Sequence, residues 1–528
     1  MSEPEQPEGP TEGLALGSEG ARLRRLFANT SIYAVGQLGL QLISAFLTPI
    51  LTLFLVPADF GIWSLSMMLL TGFSLLYNPA LNGAVTRFYF DHEHDDEQRR
   101  RFQGTILSFI VIWAGGLSLL ALIAGPWLFD AAFADLPFWP YGAFVVVIAF
   151  VGVFGAVPRA MWVAAERSKT FVSVTLLASS VNLLGSLGLV AFTTLGVLGL
   201  FWGRTASVVV VAVPYIVFCV RHVGLAWDRT ELRRALVFSL PLVLHLAAHW
   251  ILGMSDRVLI ERYYADPASA PLDALELGHD PEAGTLALSA LGIYGASYFF
   301  IEAVNMIAMS MNRAWVPQFT RAYNHPEERP FVARSISWFI LAVAAMSVAM
   351  IVLSPTAVRL LFDDKYSFAA EVAPILAAGG LFQGIYYIYV AGLFYFKANR
   401  LIPFITVVSG LTNIGLNIMW IPAYGLVGAA WATLVGYLVL VVGMRWGCRR
   451  LTRLPFERKR LARIAGTLSV ATVIGVALDD RLALGWEIAA KLATLGLAAL
   501  VLWRLDVFSK HNNLQSDEGA GPEAPTPD

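Results

Sequence analysis

Stretches of about 20 apolar residues, the length that crosses the hydrocarbon of a bilayer, follow one another through almost the whole chain. They fall near 30–55, 60–82, 104–127, 139–162, 171–193, 195–219, 237–260, 287–311, 332–354, 369–396, 401–421, 424–446, 462–479 and 483–505. Lipid offers backbone N–H and C=O groups no partner, so each run must close its own hydrogen bonds as a helix. The expected fold is an all-α polytopic membrane protein of about fourteen spans. Composition agrees: only 14% of the 528 residues are charged, 57% are hydrophobic and the mean hydropathy is +0.64, outside the range of soluble domains.

Basic residues set the orientation. One series of loops carries Arg22, Arg24 and Arg25, then Arg99 to Arg101, Arg167 and Lys169, Arg233 and Arg234, Arg321 and Arg329, Lys397 and Arg400, and the run RWGCRRLTRLPFERKRLAR at 445–463. The opposite loops, such as DAAFADLP at 130–137 and ADPASAPLDALELGHDPEAG at 265–284, hold acids and almost no bases. The positive-inside rule therefore expects a plasma (bacterial inner) membrane protein with both termini in the cytoplasm. The net charge of −1 conceals this separation and points to no nucleic acid. Residues 1–21 and 511–528 read as disordered polar tails, and the first apolar run is too long and too late for a cleavable signal peptide. Cys219 and Cys448 lie at cytoplasmic helix ends, where thiols stay reduced.

The chain also repeats itself at an offset near 230 residues. FGIWSLS at 60–66 answers LGIYGAS at 291–297, and LGVLGLFWG at 195–203 answers YGLVGAAWA at 424–432. LFD recurs at 128–130 and 361–363, and Cys219 with Arg221 answers Cys448 with Arg450. Ordered matches of this kind imply two homologous six-span lobes, 22–222 and 223–450, of equal orientation about an axis along the membrane normal. Two additional spans, 451–510, follow them. They lack a polar stripe apart from Glu487 and Lys491, an i,i+4 pair that can neutralise itself.

Polar residues then mark a face. The first span carries Asn29, Tyr33, Gln37, Gln41, Ser44, Thr48 and Thr52 at steps of three or four. The second carries Thr71, Ser74, Asn78 and Asn82, and its repeat partner, the eighth, carries Glu302, Asn305, Met309 and Arg313 at equivalent positions. His245, His249 and Asp256 share a face of the seventh span. Lipid cannot solvate four such faces, so a hydrated cleft shared by the two lobes is expected. Gln37, Gln41, Asn78, Asn82, His245, His249 and Asn305 are its candidate lining. Glu302 and Asp256 are candidates for ion coupling, because carboxylates within membrane spans are costly to keep and mark ion and proton pathways.

RLFANTSIYAVGQL, VPADFGIWSL, FSLPLVLHLAAHWILGMSDRVLIERYY and YGLVGAAWATLVGYL resemble the polysaccharide-export family, the O-antigen-flippase-like members of the multidrug/oligosaccharidyl-lipid/polysaccharide superfamily. The likeness runs over residues 22–505. It implies two six-helix bundles about a central cavity, alternating access, and movement of polyprenyl-diphosphate-linked oligosaccharide to the outer leaflet. The implied partners are that lipid-linked oligosaccharide, membrane lipids, and glycan polymerases or glycosyltransferases. In similar flippases an added helix pair shapes a groove for the lipid tail. No cofactor is implied, and a proton or sodium gradient is the candidate energy source.

The diphosphate of such a cargo calls for cations, and arginine's planar fork suits phosphate oxygens. Arg87, Arg159 and Arg313 stand towards cytoplasmic helix ends, where loading would occur, and Arg204 lies near the bilayer centre. Its partner is Glu302 across the lobes, an anionic group on the cargo, or backbone carbonyls. Two rivals stay open. A multidrug or organic-cation exporter of the same superfamily depends on carboxylates in the first lobe, where the spans hold no deep Asp or Glu. A membrane-embedded glycan ligase or polymerase uses a large outer loop, and here the longest, 265–284, has no nucleophile or metal spacing and reads as a solvated insertion.

Overall fold

The computed structural model describes residues 47–505, leaving out 90, 92–94, 166, 267–269, 272, 274–276, 278–284, 323–327, 397, 399–400, 452–453 and 480. All regular structure among the described residues is helical. The order is α1 (Pro57–Tyr77), α2 (Leu81–Phe88), α3 (Asp96–Ala132), a broken α4 (Phe138–Ala164), α5 (Ser168–Phe192) and α6 (Val197–Phe218). There follow α7 (Arg229–Tyr264), α8 (Leu286–Ala322), α9 (Arg329–Leu361), α10 (Ala369–Tyr395), α11 (Leu401–Leu451), α12 (Arg458–Ala477) and α13 (Leu484–Arg504). Of the first expected span only the end at 47–52 is described, as helix. Gln37 and Gln41 lie outside the described residues.

Twelve of the described helices are long and apolar enough to span a bilayer, and α11 crosses twice. Its 51 residues would reach roughly 77 Å at 1.5 Å each, against about 30 Å of hydrocarbon. The turn comes at Gly425, where φ +55 and ψ −135 depart from helix. The two halves then pack antiparallel, with Ser409 Oγ donating to the Gly436 carbonyl at 2.5 Å and Ile405 lying against Gly443. Gly196, at the start of α6, repeats this backbone with φ +53 and ψ −130. Only glycine enters that region at little cost, so the two lobes share a local conformation that their sequence repeat placed side by side.

The second expected span, 60–82, is interrupted. Pro79 lacks an N–H and disfavours helix in the residue before it. α1 ends at Tyr77, Ala80 takes φ +56, and α2 starts afresh with Asn78 Oδ1 accepting from the Leu81 amide at 3.2 Å. Asn82 consequently leaves the face that carries Thr71, Ser74 and Asn78, and is exposed.

The ends are distinguished by charge, one basic and one acidic. At the acidic end the two bundles touch. Gly61 meets the carbonyl of Leu288, Gly292 that of Pro57, and Gly295 the Ser64 side chain, so α1 and α8 approach backbone to backbone. Glu261 accepts from the amides of Ala134 and Asp135 at 2.5 and 2.8 Å, and Tyr366 donates to the Leu55 carbonyl at 3.1 Å. At the basic end Arg234 pairs with Asp91 at 2.5 Å and lies 4.2 Å from the Phe88 ring centroid. Asp228 caps α7 there; the Glu231 and Thr230 amides hold its carboxyl below the usual carboxylate range.

The acidic 265–284 segment is not wholly solvated. Asp273 accepts from Tyr264 Oη at 2.6 Å and from the Leu426 amide at 2.9 Å, closing the turn at Gly425.

The final pair, α12 and α13, packs on α9. Glu487 and Lys491 bond to each other at 2.8 Å, and the pair extends into a network. Glu487 accepts from Arg359 at 2.5 Å and from Thr356 at 2.7 Å, while Lys491, fully buried, also donates to Thr356 and Asp479. Removing one partner from a buried ionic group strands the others and costs about 3–5 kcal/mol. Lys491→Met is therefore expected to lower the thermal unfolding midpoint of the detergent-purified protein by several degrees, with Lys491→Arg intermediate. Equal midpoints would show that apolar packing alone holds the pair.

Candidate functional site

A cavity of about 510 Å³ lies inside the first bundle. Thr71 and Ser74 of α1, Asn78 just past its end, Thr175 and Ser179 of α5, and Ser207 of α6 supply neutral polar lining. Thr71, Ser74 and Thr175 give their hydroxyl hydrogens to carbonyls four residues earlier, at 2.9, 2.7 and 2.7 Å. Their oxygens remain free to accept.

Two guanidinium groups give the cavity its charge. Arg204 is the eighth residue of α6, and its buried Nε has no acceptor. No carboxylate or carbonyl among the described residues partners it. A charge at that depth costs at least about 2.5–3.5 kcal/mol on insertion scales. Arg159, a few turns nearer the basic end, gives Nε to the Gly155 carbonyl at 3.0 Å and stands 5.9 Å from the Tyr215 ring centroid. Among the described residues, no Asp or Glu lines the cavity. The arrangement suits a ligand with several anionic oxygens.

The second bundle carries a separate polar interior. Asp256, fully buried, accepts from Tyr294 Oη at 2.7 Å, Tyr298 Oη at 2.8 Å and Arg257 at 3.2 Å. Arg257 also donates Nε to Ser64 Oγ of the first bundle at 3.2 Å and lies 4.1 Å from the Tyr298 ring centroid. His245 meets Thr406 Oγ1 at 3.1 Å and Tyr386 Oη at 3.3 Å, and the His249 ring stacks on Tyr386. His249 Nδ1 is buried without a partner. Glu302 accepts from Asn305 at 3.4 Å, and Asn305 accepts from Tyr387 Oη at 3.2 Å.

Among the described residues, Asn78, Arg159 and Arg204 come together within the first bundle, while His245, His249, Asp256, Glu302 and Asn305 lie in the second, with Glu302 exposed. Arg204 makes no ion pair with Glu302. Arg87 is exposed and paired with Asp91 at 3.3 Å rather than facing the cavity. Asn82 and Arg313 are exposed and are not part of the cavity lining. Sequence reading missed Arg257, Glu261 and Ser179. Arg257 had a signal, a second ionisable residue beside Asp256 in an apolar span; Glu261 had none, because its partners are backbone amides 126 and 127 residues away.

The fold has several known counterparts. A structure of the lipid II flippase MurJ in an inward closed conformation superposes with a TM-score of 0.70 at 12% identity, covering 89% of this chain and 98% of that one. A multidrug resistance MATE family transporter of the MOP superfamily, inward-facing, gives 0.61 at 15% identity over 79% and 98%. A MOP superfamily transporter from Pyrococcus furiosus gives 0.51 at 16% identity over 80% and 94%. An uncharacterized membrane protein of Methanocaldococcus jannaschii is 23% identical over 180 residues. The match spans about a third of that relative's length, 34%, and 34% of this chain. The model of the lipid II flippase MurJ family matches residues 288–487. That of the family described as polysaccharide biosynthesis protein matches residues 26–323, more than half of the 528 residues. The chain belongs to the polysaccharide biosynthesis protein family.

Proposed function

We infer that this multi-pass membrane protein is a transporter, not an enzyme, and that it moves lipid-linked oligosaccharide across the plasma membrane by alternating access. The observation that carries the reading is the pair of arginines in the first-bundle cavity, Arg204 above all, a deep cation with no described protein partner. Diphosphate oxygens would supply what Arg204 lacks, and the acceptor hydroxyls around it suit sugar donors. The absence of carboxylates among the described lining residues disfavours an organic cation. The charge rule puts the basic end in the cytoplasm, so loading there and closure at α1 and α8 describe one half of a cycle. Glu302, held by Asn305 beside Tyr387, is the proposed coupling carboxylate. Polymerases and glycosyltransferases are the proposed protein partners.

Complementation of surface-polysaccharide assembly tests the reading. Arg204→Ala is expected to fold normally, since no described partner is stranded, and to lose at least about tenfold in flux, equivalent to roughly 1.4 kcal/mol of lost transition-state stabilisation. Arg204→Lys should keep part of the flux, because a point charge still attracts phosphate without the fork. Full complementation by Arg204→Ala would remove Arg204 from the transport path.

A further inference from the structure

A second pocket, about 140 Å³, lies at the basic end of the first bundle between α3, α4 and the end of α6. It shares α4 and α6 with the larger cavity, and the two are separated by aromatic rings: Trp162 lines the outer pocket, Tyr215 the inner cavity, and their centroids are 5.6 Å apart. We propose that this pocket is a binding site for a phosphate group presented at the cytoplasmic surface of the membrane.

Its wall is rich in donors. Among the described residues, Arg99, Arg100 and Arg167 line it against one carboxylate, Asp96, which is already hydrogen-bonded to Arg99. Arg100 and Arg167 have no ion-pair partner among the described residues. Gln103 supplies an independent sign of a missing ligand: it is 1% exposed, lines the pocket, and its Nε2 has no acceptor. A buried amide donor left unpaired carries a desolvation penalty, which a ligand oxygen would remove. His222 shares Nδ1 with the Phe218 carbonyl at 3.2 Å, leaving Nε2 for a ligand. Guanidinium forks and an amide N–H together match tetrahedral phosphate oxygens. The volume is about ten times the 10–15 Å³ that one water needs, enough for a phosphate group and too small for an oligosaccharide. Basic pockets at cytoplasmic helix ends are where lipid phosphates are held. The phosphate has three sources: the diphosphate of a polyprenyl lipid, an anionic phospholipid, or the free ion.

The test uses the full chain, purified in neutral detergent, with binding of farnesyl diphosphate, phosphatidylglycerol and inorganic pyrophosphate each measured by native mass spectrometry or thermal shift, and farnesol as control. At least one probe is expected to bind, with Arg100→Gln/Arg167→Gln weakening it about tenfold or more. Gln103→Leu should weaken it too, and both effects should persist in an Arg204→Ala background, where the inner cavity no longer contributes to diphosphate binding. Both arginines are exposed, so the double variant keeps the fold, and Gln103→Leu reports the same pocket independently. Farnesyl diphosphate alone would mark the polyprenyl source, phosphatidylglycerol alone the phospholipid, and pyrophosphate among the ligands a site for phosphate itself. Binding of none of the three, or equal binding by wild type, the double variant and Gln103→Leu, overturns the proposal. Either result is distinguishable from failure of the transport reading, which is read through Arg204.

Discussion

Arg257→Met is expected to lower stability by about 3–5 kcal/mol, the cost of leaving a buried carboxylate without its cation. Asp256 would keep the hydroxyls of Tyr294 and Tyr298, but hydroxyl donors do not neutralise a charge in low dielectric. The change also deletes the bond from Arg257 to Ser64, a direct tie between the bundles. Asp256→Asn combined with Arg257→Met should recover much of the loss, because no unpaired charge remains. Ser64→Ala alone should cost only about 1 kcal/mol. Thermal unfolding followed by size-exclusion recovery separates these outcomes. A single Arg257→Met variant that unfolds at the wild-type temperature would show that the pair is not structural.

Gly292→Val should leave the protein folded and stop its cycle. A Cβ at Gly292 would overlap the Pro57 carbonyl, and one at Gly61 the Leu288 carbonyl, where backbone cannot yield as a flexible side chain can. Overpacking of this kind costs about 1–3 kcal/mol or more. Here two separate bundles can relieve it by parting at the acidic end. Ser64→Cys, buried against α8 in the closed arrangement, should be shielded from a polar thiol reagent in the parent protein and labelled with Gly292→Val, and complementation should fail in parallel. Shielding that persists with Gly292→Val together with normal complementation would mean that the closed contact at α1 and α8 plays no part in transport.

The extra helix pair shows how far a sequence signal reaches. Glu487 and Lys491 are four apart, so their pairing is visible in one dimension. Thr356, Arg359 and Asp479, which complete the network, come from other helices or their ends. The stretch at 78–80 shows a signal that was present and unused: Pro79 ends α1, and the new phase of α2 carries Asn82 off the polar face.

What the sequence by itself determined is the part of this protein governed by short-range chemistry and by lipid. Apolar run length dictates spans because unpaired backbone is intolerable in hydrocarbon, Arg and Lys placement makes one end basic and the other acidic, and the 230-residue repeat at Gly196 and Gly425 duplicates the bundle. Only the tertiary structure decided which polar residues meet. Arg159 and Arg204 belong to different helices, Glu261 answers to amides on a distant loop, and the Asp256 carboxylate is consumed by its own neighbours. These choices depend on helix phase and on close approaches through glycine, which arise from packing among all the helices at once and from no local window of the chain.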